Sequence, residues 1–209
     1  MPPTGSRTLC LPATAELDAA WPASPFRPSA VGRLLGDRRC ENDHVSEGEQ
    51  LAALGRIHEV LERDGIEYWL FGGWAVDFHA GSVTRPHDDL DLGVWLKDHD
   101  RIAALLAADG WKRAPEEGED GYAGYVRGST RLELAFLARG DDGEVYTPLW
   151  EGRGAWPDNA FEDDVAELHG VRVRVISLRA LKADKSEARD DPIVAAKDRA
   201  DVAILSRFR

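Results

Sequence analysis

The sequence predicts an α/β (α+β) domain in which helices pack on a mixed sheet and two further helices close the chain. Three observations lead there. From residue 46 onward, helix-spaced apolar positions alternate with short apolar or alternating runs of strand length. Asp-Gly, Gly-Gly and Gly-Ser pairs fall at the ends of several of those segments. The chain has 209 residues and 43% hydrophobic content, which suits one core and is too apolar for a disordered chain. No internal repeat is seen.

The elements follow in order. Ser46-Glu47-Gly48-Glu49 has the form of a capping box. Leu51, Leu54, Ile57 and Leu61 then recur at helical spacing, and Asp64-Gly65 stops the helix. Tyr68-Trp69-Leu70-Phe71 reads as a buried strand ending at Gly72-Gly73, and 74–80 as a short helix closed by Gly81. Residues 89–95, Asp-Leu-Asp-Leu-Gly-Val-Trp, alternate as a strand does. Asp98 is expected to cap a helix carrying Ile102, Leu105 and Leu106, which stops at Asp109-Gly110. Residues 122–127 and 131–138 form a hairpin about Gly128-Ser129, and 165–168 and 171–176 another about His169-Gly170. Helices over 178–188 and 193–208, split by Asp190-Asp191-Pro192, finish the chain.

Charge divides the chain. There are 26 Lys plus Arg against 38 Asp plus Glu, a formal charge of −12. Residues 1–45 hold five basic and five acidic side chains, so the whole excess belongs to 46–209. Six of the eleven prolines fall within the first 30 residues. Residues 1–45 are therefore expected to be a poorly ordered Pro-rich extension, and 46–209 the folded domain, with its C-terminal helical segment from about residue 177. Such acidity argues against duplex nucleic acid and against an anionic membrane surface as partners. No run of about 18 apolar residues is present to span a bilayer. The start lacks the basic-then-apolar order of a secretory signal. Cys10 and Cys40 are too few for a disulfide framework or a zinc site, so a reduced, cytoplasmic protein is expected.

The chemistry concentrates in two strands. Asp89 and Asp91, two apart, point to one face while Leu90 and Leu92 point to the other. Neighbouring carboxylates repel, and burying them is costly unless a cation lies between them. Mg²⁺ takes oxygen ligands and favours sites shared with phosphates. In Arg131-Leu132-Glu133-Leu134-Ala135-Phe136, Glu133 breaks an apolar alternation. If that strand neighbours the first, Glu133 joins the same face, and three carboxylates can hold two ions about 3.5–4 Å apart. Ahead of them, a Gly-Gly pair between a strand and a helix lets backbone N–H groups approach a phosphate.

The ungapped run Gly72-Gly73-Trp74-Ala75-Val76-Asp77, then Thr84-Arg85-Pro86-His87-Asp88-Asp89-Leu90-Asp91, resembles the nucleotidyltransferase superfamily that includes DNA polymerase beta. It is most similar to the aminoglycoside 2''-O-adenylyltransferases and lincosamide nucleotidyltransferases. The strict resemblance covers about 25 residues. A looser one, in element order and in Lys197-Asp198-Arg199-Ala200-Asp201, covers 50–205. It implies the nucleotidyltransferase fold, Asp89 and Asp91 as metal ligands, and Gly72 and Gly73 facing the triphosphate. It implies Glu133 as either a third ligand or the general base; the family carries Asp there. It also implies a helical lysine on the phosphates, either Lys182 or Lys197. Asp77, Arg85 and His87 match positions expected to be structural, with Asp77 capping or pairing with Arg85. Asp88 should point away from the metal face.

The implied reaction is metal-dependent transfer of a nucleoside monophosphate, AMP from ATP or the equivalent from another NTP, to a hydroxyl of a small molecule. Two Mg²⁺ ions are expected as cofactor. An aminoglycoside-like antibiotic is favoured as acceptor, which implies a role in antibiotic resistance. Acidic stretches at 116–120, 141–142 and 162–164 would attract a polycation, and Tyr146, Trp150 and Trp156 are candidate acceptor contacts or core. Two other readings stay open: a toxin-type nucleotidyltransferase modifying RNA or protein, and an inactive nucleotide-binding domain. The oligomeric state is not legible.

Overall fold

The structure, a computed structural model, describes residues 45–114 and 120–208. All but the last residue of the expected Pro-rich extension, both cysteines and most of the 116–120 acidic stretch lie outside the described residues. Among the described residues, no helix is long and apolar enough to cross a membrane.

Helix α1 (Glu47–Arg63) opens on the capping box at Ser46 and buries Leu51, Leu54, Ile57 and Leu61. It leads into β1 (Tyr68–Phe71), buried at all four positions, and directly into α2 (Gly72–Ala80), closed by Gly81 at φ +70°. Strand β2 (Leu90–Trp95) follows, then a 3₁₀ turn and α3 (His99–Ala108). Asp98 occupies the N-cap position of α3 but makes no side-chain cap bond. Next come β3 (Lys112–Arg113), β4 (Tyr122–Arg127), β5 (Thr130–Arg139), β6 (Val145–Leu149) and β7 (Gly152–Ala155). Strands β8 (Val165–Leu168) and β9 (Val171–Arg174) form a hairpin whose turn residues His169 and Gly170 both have positive φ, the type that suits a two-residue connection. Helices α4 (Leu178–Lys185) and α5 (Pro192–Leu205) close the chain.

The main sheet has the order β1-β2-β5-β4-β3, and β6 and β7 continue from the far end of the long β5. Strands β2 and β5 are parallel; the other pairs are antiparallel. The parallel pair requires a long crossover, which α3, β3 and β4 supply. One continuous core gathers Leu90, Leu92 and Val94 of β2, Leu132 and Leu134 of β5, and the inward faces of α1 and α3. Helix α2 contacts β1, β2, α4 and α5.

The structure departs from expectation where local pattern is weakest. Strand β2 begins at Leu90, so Asp89 stands just before it. Strand β3 has two residues, and β6–β7 contains Pro148 and Gly-Arg-Gly-Ala, so neither carries an alternating signal. Their pairing partners determine them. Helix α4 stops at Lys185, three residues short. Helix α5 starts one residue early, at Pro192, where Asp191 accepts from the Ile193 amide at 2.8 Å and proline fits the first helical position.

A buried polar chain fastens the segment between α2 and β2. Asp77, fully buried, accepts from the Thr84 amide at 3.1 Å and from the Thr84 hydroxyl at 2.5 Å, and meets His87 Nε2 at 2.5 Å. The expected Asp77–Arg85 pair is not formed. Arg85 reaches past it to Asp201 on α5, with Nε at 3.1 Å and a second nitrogen at 3.0 Å, a two-pronged bond. Arg85 also donates to His87 Nδ1 at 3.1 Å, which leaves Nε2 to donate to Asp77. His87 stacks on Trp74 at 4.6 Å between ring centres. Trp74 donates to Gln50, and Gln50 donates to the His87 carbonyl.

Burial sets the worth of these ion pairs. Arg85 and Asp201 have side chains 22% and 1% exposed, whereas Lys197 and Asp88, joined at 2.7 Å, are 41% and 70% exposed. Removing one partner of a buried pair strands the other, while an exposed pair contributes little. Urea unfolding is therefore expected to show Asp201→Ala costing about 3 kcal/mol and Asp88→Ala under about 1 kcal/mol. Equal losses would overturn this ranking.

Candidate active site

The parallel register of β2 and β5 sets Asp91 directly opposite Glu133. Residues opposite one another on paired strands share a face, so the two carboxylates stand side by side, and Asp89 joins them from the residue before β2. Glu133 thus reaches the face expected of it, through a parallel partner distant in sequence.

The backbone closes on these groups. Phe71, the last residue of β1, lies opposite Asp91, and the chain turns there into Gly72 with φ +67°. A Cβ on Gly72 would overlap the Asp91 carboxylate. A Cβ on Gly73 would lie 2.5 Å from His87 Nδ1 and 2.7 Å from an Arg85 nitrogen. Both glycines are thus required by the protein's own side chains, a reason separate from any ligand. The start of α2 has no side-chain cap, so its first-turn N–H groups remain available to an anion.

Burial pushes the Asp91 carboxyl well above the ordinary aspartate range, and the neighbouring Asp89 and Glu133 push it further. Asp89 is raised too, by burial first and then by Asp88. Cations oppose these effects: Lys185 acts on Asp91, while Lys197, from its bond to Asp88, and Arg131 act on Asp89. Asp88 turns to the exposed side as expected.

Lys185 was not singled out from sequence, although it shares a helical face with Leu178 and the buried Leu181, a spacing that marks a buried position. It is held at 2.9 Å from Asp198 and 3.4 Å from Asp201, with a side chain 10% exposed. Arg189 bonds Asp198 and Asp184, so α4 and α5 share one chain of alternating charge. Lys182 instead donates to the Phe208 carbonyl at 2.7 Å. The aromatic candidates separate: Trp156, half-buried, packs against the core beside Phe71 and Phe161 and donates to Thr147, while Tyr146 lies under Arg153 on the β6–β7 hairpin.

The donor set is all oxygen and acidic, which fits Mg²⁺. Among the described residues, no three ligating side chains enclose an ion by themselves.

The mixed sheet with helices packed on it is the fold of solved nucleotidyltransferases. The sequence pattern of the aminoglycoside-2''-adenylyltransferase family matches residues 53–205, and the chain belongs to that family. A 2''-aminoglycoside nucleotidyltransferase of Klebsiella pneumoniae is 32% identical over 110 residues, 51% of each chain. The chain thus spans about half the length of the curated relatives it matches. The fold is shared with a lincosamide antibiotic adenylyltransferase solved with lincomycin bound (TM-score 0.61, 21% identity, 80% of this chain and 100% of that one). It is also shared with ANT(2'')-Ia in complex with adenylyl-2''-tobramycin (TM-score 0.59, 21% identity, 76% of this chain and 88% of that one).

The raised Asp91 has a consequence for stability. Below the ordinary aspartate range both folded and unfolded chains hold this proton. As pH rises toward the raised value the unfolded chain loses it first, so the metal-free fold loses stability across that window. Asp91→Asn is expected to raise the metal-free unfolding free energy at neutral pH and to abolish stabilisation by Mg²⁺. Gly72→Ala is expected to cost about 1–3 kcal/mol. Thermal unfolding with and without Mg²⁺ checks both. An Asp91→Asn protein that is less stable without metal would contradict the electrostatic account.

Proposed function

We propose that the chain is a metal-dependent nucleotidyltransferase that moves a nucleoside monophosphate, AMP from ATP, to a hydroxyl of a small cationic antibiotic of the aminoglycoside type. The observation that carries this is the pairing of Asp91 with Glu133 at one register position, beside Asp89 and the Gly72 turn. Family membership supports the nucleotide and the acceptor class.

Asp89, Asp91 and Glu133 would hold Mg²⁺, two ions in this reading, which would supply charge neutralisation at the triphosphate and at the attacking and leaving oxygens. The residues of the chain do the remainder. Gly72 and Gly73, with the uncapped start of α2, receive phosphate oxygens. Lys185, held by Asp198 and Asp201, presents a fixed positive charge beside Asp91, and Lys197 can exchange Asp88 for a phosphate at the mouth. Glu133 takes the acceptor proton or shares the metal. Positioning and charge complementarity carry most of the rate in such transfers.

The test incubates the full chain with Mg²⁺, labelled ATP and, separately, tobramycin, lincomycin and bulk RNA. Labelled antibiotic with release of pyrophosphate is expected, and Asp89→Ala and Glu133→Gln should each lower kcat by about 10²-fold or more. Label on RNA with none on either antibiotic would replace this acceptor class, and unchanged turnover in both variants would remove the carboxylates from the mechanism.

A further inference from the structure

Tyr122, the first residue of β4, was assigned no role from sequence. It pairs with Ala135, two residues along β5 from Glu133. By alternation its ring is therefore on the same sheet face as Glu133 and Asp91, one diagonal step from Glu133. The residue before it is pinned: Gly121 has φ +74°, its carbonyl accepts from the Phe136 amide at 2.9 Å, and a Cβ there would lie 2.5 Å from the Pro148 carbonyl. Asp120 accepts from the Trp150 amide at 2.6 Å and ties the β6–β7 turn to the same place. Tyr122 is half-buried against the core edge, and its hydroxyl makes no hydrogen bond among the described residues.

Its surroundings are acidic on several sides. Burial raises its proton affinity most, followed by Glu133, then Asp184 of α4, Asp91 and Asp120, so the phenol stays protonated and a donor throughout the working range. Sheet order then says which substrate it meets. Gly72 and the start of α2 lie on the β1 side of Asp91; Glu133 and Tyr122 lie on the β5–β4 side. Attacking and leaving oxygens stand roughly in line across the transferred phosphorus. With phosphates on the α2 side, the acceptor lies on the Tyr122 side.

We propose that Tyr122 is an acceptor-binding residue whose hydroxyl donates to an oxygen of a polyhydroxylated ring, holding the attacked hydroxyl beside Glu133. In that step the acceptor oxygen bonds to the α-phosphorus and its proton passes to Glu133. The bond from that phosphorus to the bridging oxygen breaks, and pyrophosphate leaves with the electron pair. The assignment rests on the function proposed above.

Tyr122→Phe removes one oxygen and keeps the ring, so the fold is expected to survive, as an unchanged unfolding midpoint would record. Steady-state kinetics of the full chain with Mg²⁺, ATP and either tobramycin or lincomycin should show the acceptor KM raised about 10-fold and the ATP KM within about twofold. Calorimetric binding of the same antibiotic, without turnover, should weaken in parallel. If Tyr122→Phe does not fold, Tyr122→Leu, which also lacks the donor, gives the second reading, with the same split between acceptor and ATP expected. An unchanged acceptor KM, or a rise in the ATP KM alone, overturns the assignment while leaving the enzyme reading intact. A wild-type chain that holds ATP with Mg²⁺ yet neither binds nor modifies either antibiotic overturns the acceptor class itself, and this assignment with it.

Discussion

The side-by-side placement of Asp91 and Glu133 is the constraint around which this molecule is organised. Two parallel strands at matched register leave no freedom to separate the carboxylates, and Asp89 adds a third. Left alone they would repel and carry a desolvation cost. The surroundings answer in three ways. The Gly72 turn leaves room for the Asp91 carboxylate, which any side chain at that position would occupy. Lys185 is brought in from α4 as a counter-charge, and Asp198 and Asp201 of α5 hold it there. The remaining imbalance is suited to ions that arrive with a triphosphate.

The same logic explains why the segment between α2 and β2 is so heavily bonded. The carboxylate strand begins only after a loop, and a loop has no ladder to fix it. Asp77, His87, Thr84 and Arg85 supply that fixation through buried hydrogen bonds, and Arg85 carries it across to α5. His87, followed in sequence by two aspartates, thus serves as a brace: one ring nitrogen faces Asp77, the other takes a bond from Arg85, and the ring stacks on Trp74. The net charge of −12 is accordingly of two kinds. Asp77, Asp198 and Asp201 are buried and partnered, whereas Asp88 and much of the loop acidity face solvent and are screened.

The main helices and strands were legible because their apolar residues follow a helical or alternating period, as in 51–61 and 132–136. The hairpin over 145–155 was not, because Pro148 and the glycines erase that signal and pairing with β5 determines it. Within the site, Asp89, Asp91, Glu133 and the glycine pair stood out because charge or glycine interrupts an apolar pattern. Lys185 and Tyr122 did not, since a lysine on a helix and a tyrosine on a strand are ordinary until their neighbours are known.

By itself, then, the sequence determined which carboxylates interrupt an apolar strand pattern, and it set Asp91 and Glu133 each on the face opposite its leucine neighbours, because side-chain direction alternates along any strand. That Glu133 stands at the level of Asp91 is a matter of register between strands some forty residues apart, which no local period encodes. The tertiary structure also decided which of several similar lysines faces the carboxylates, and that Arg85 pairs with Asp201 in place of Asp77. Long-range charge pairing depends on which helices meet, and helices meet by burying apolar faces, with the charges carried to wherever that packing leaves them.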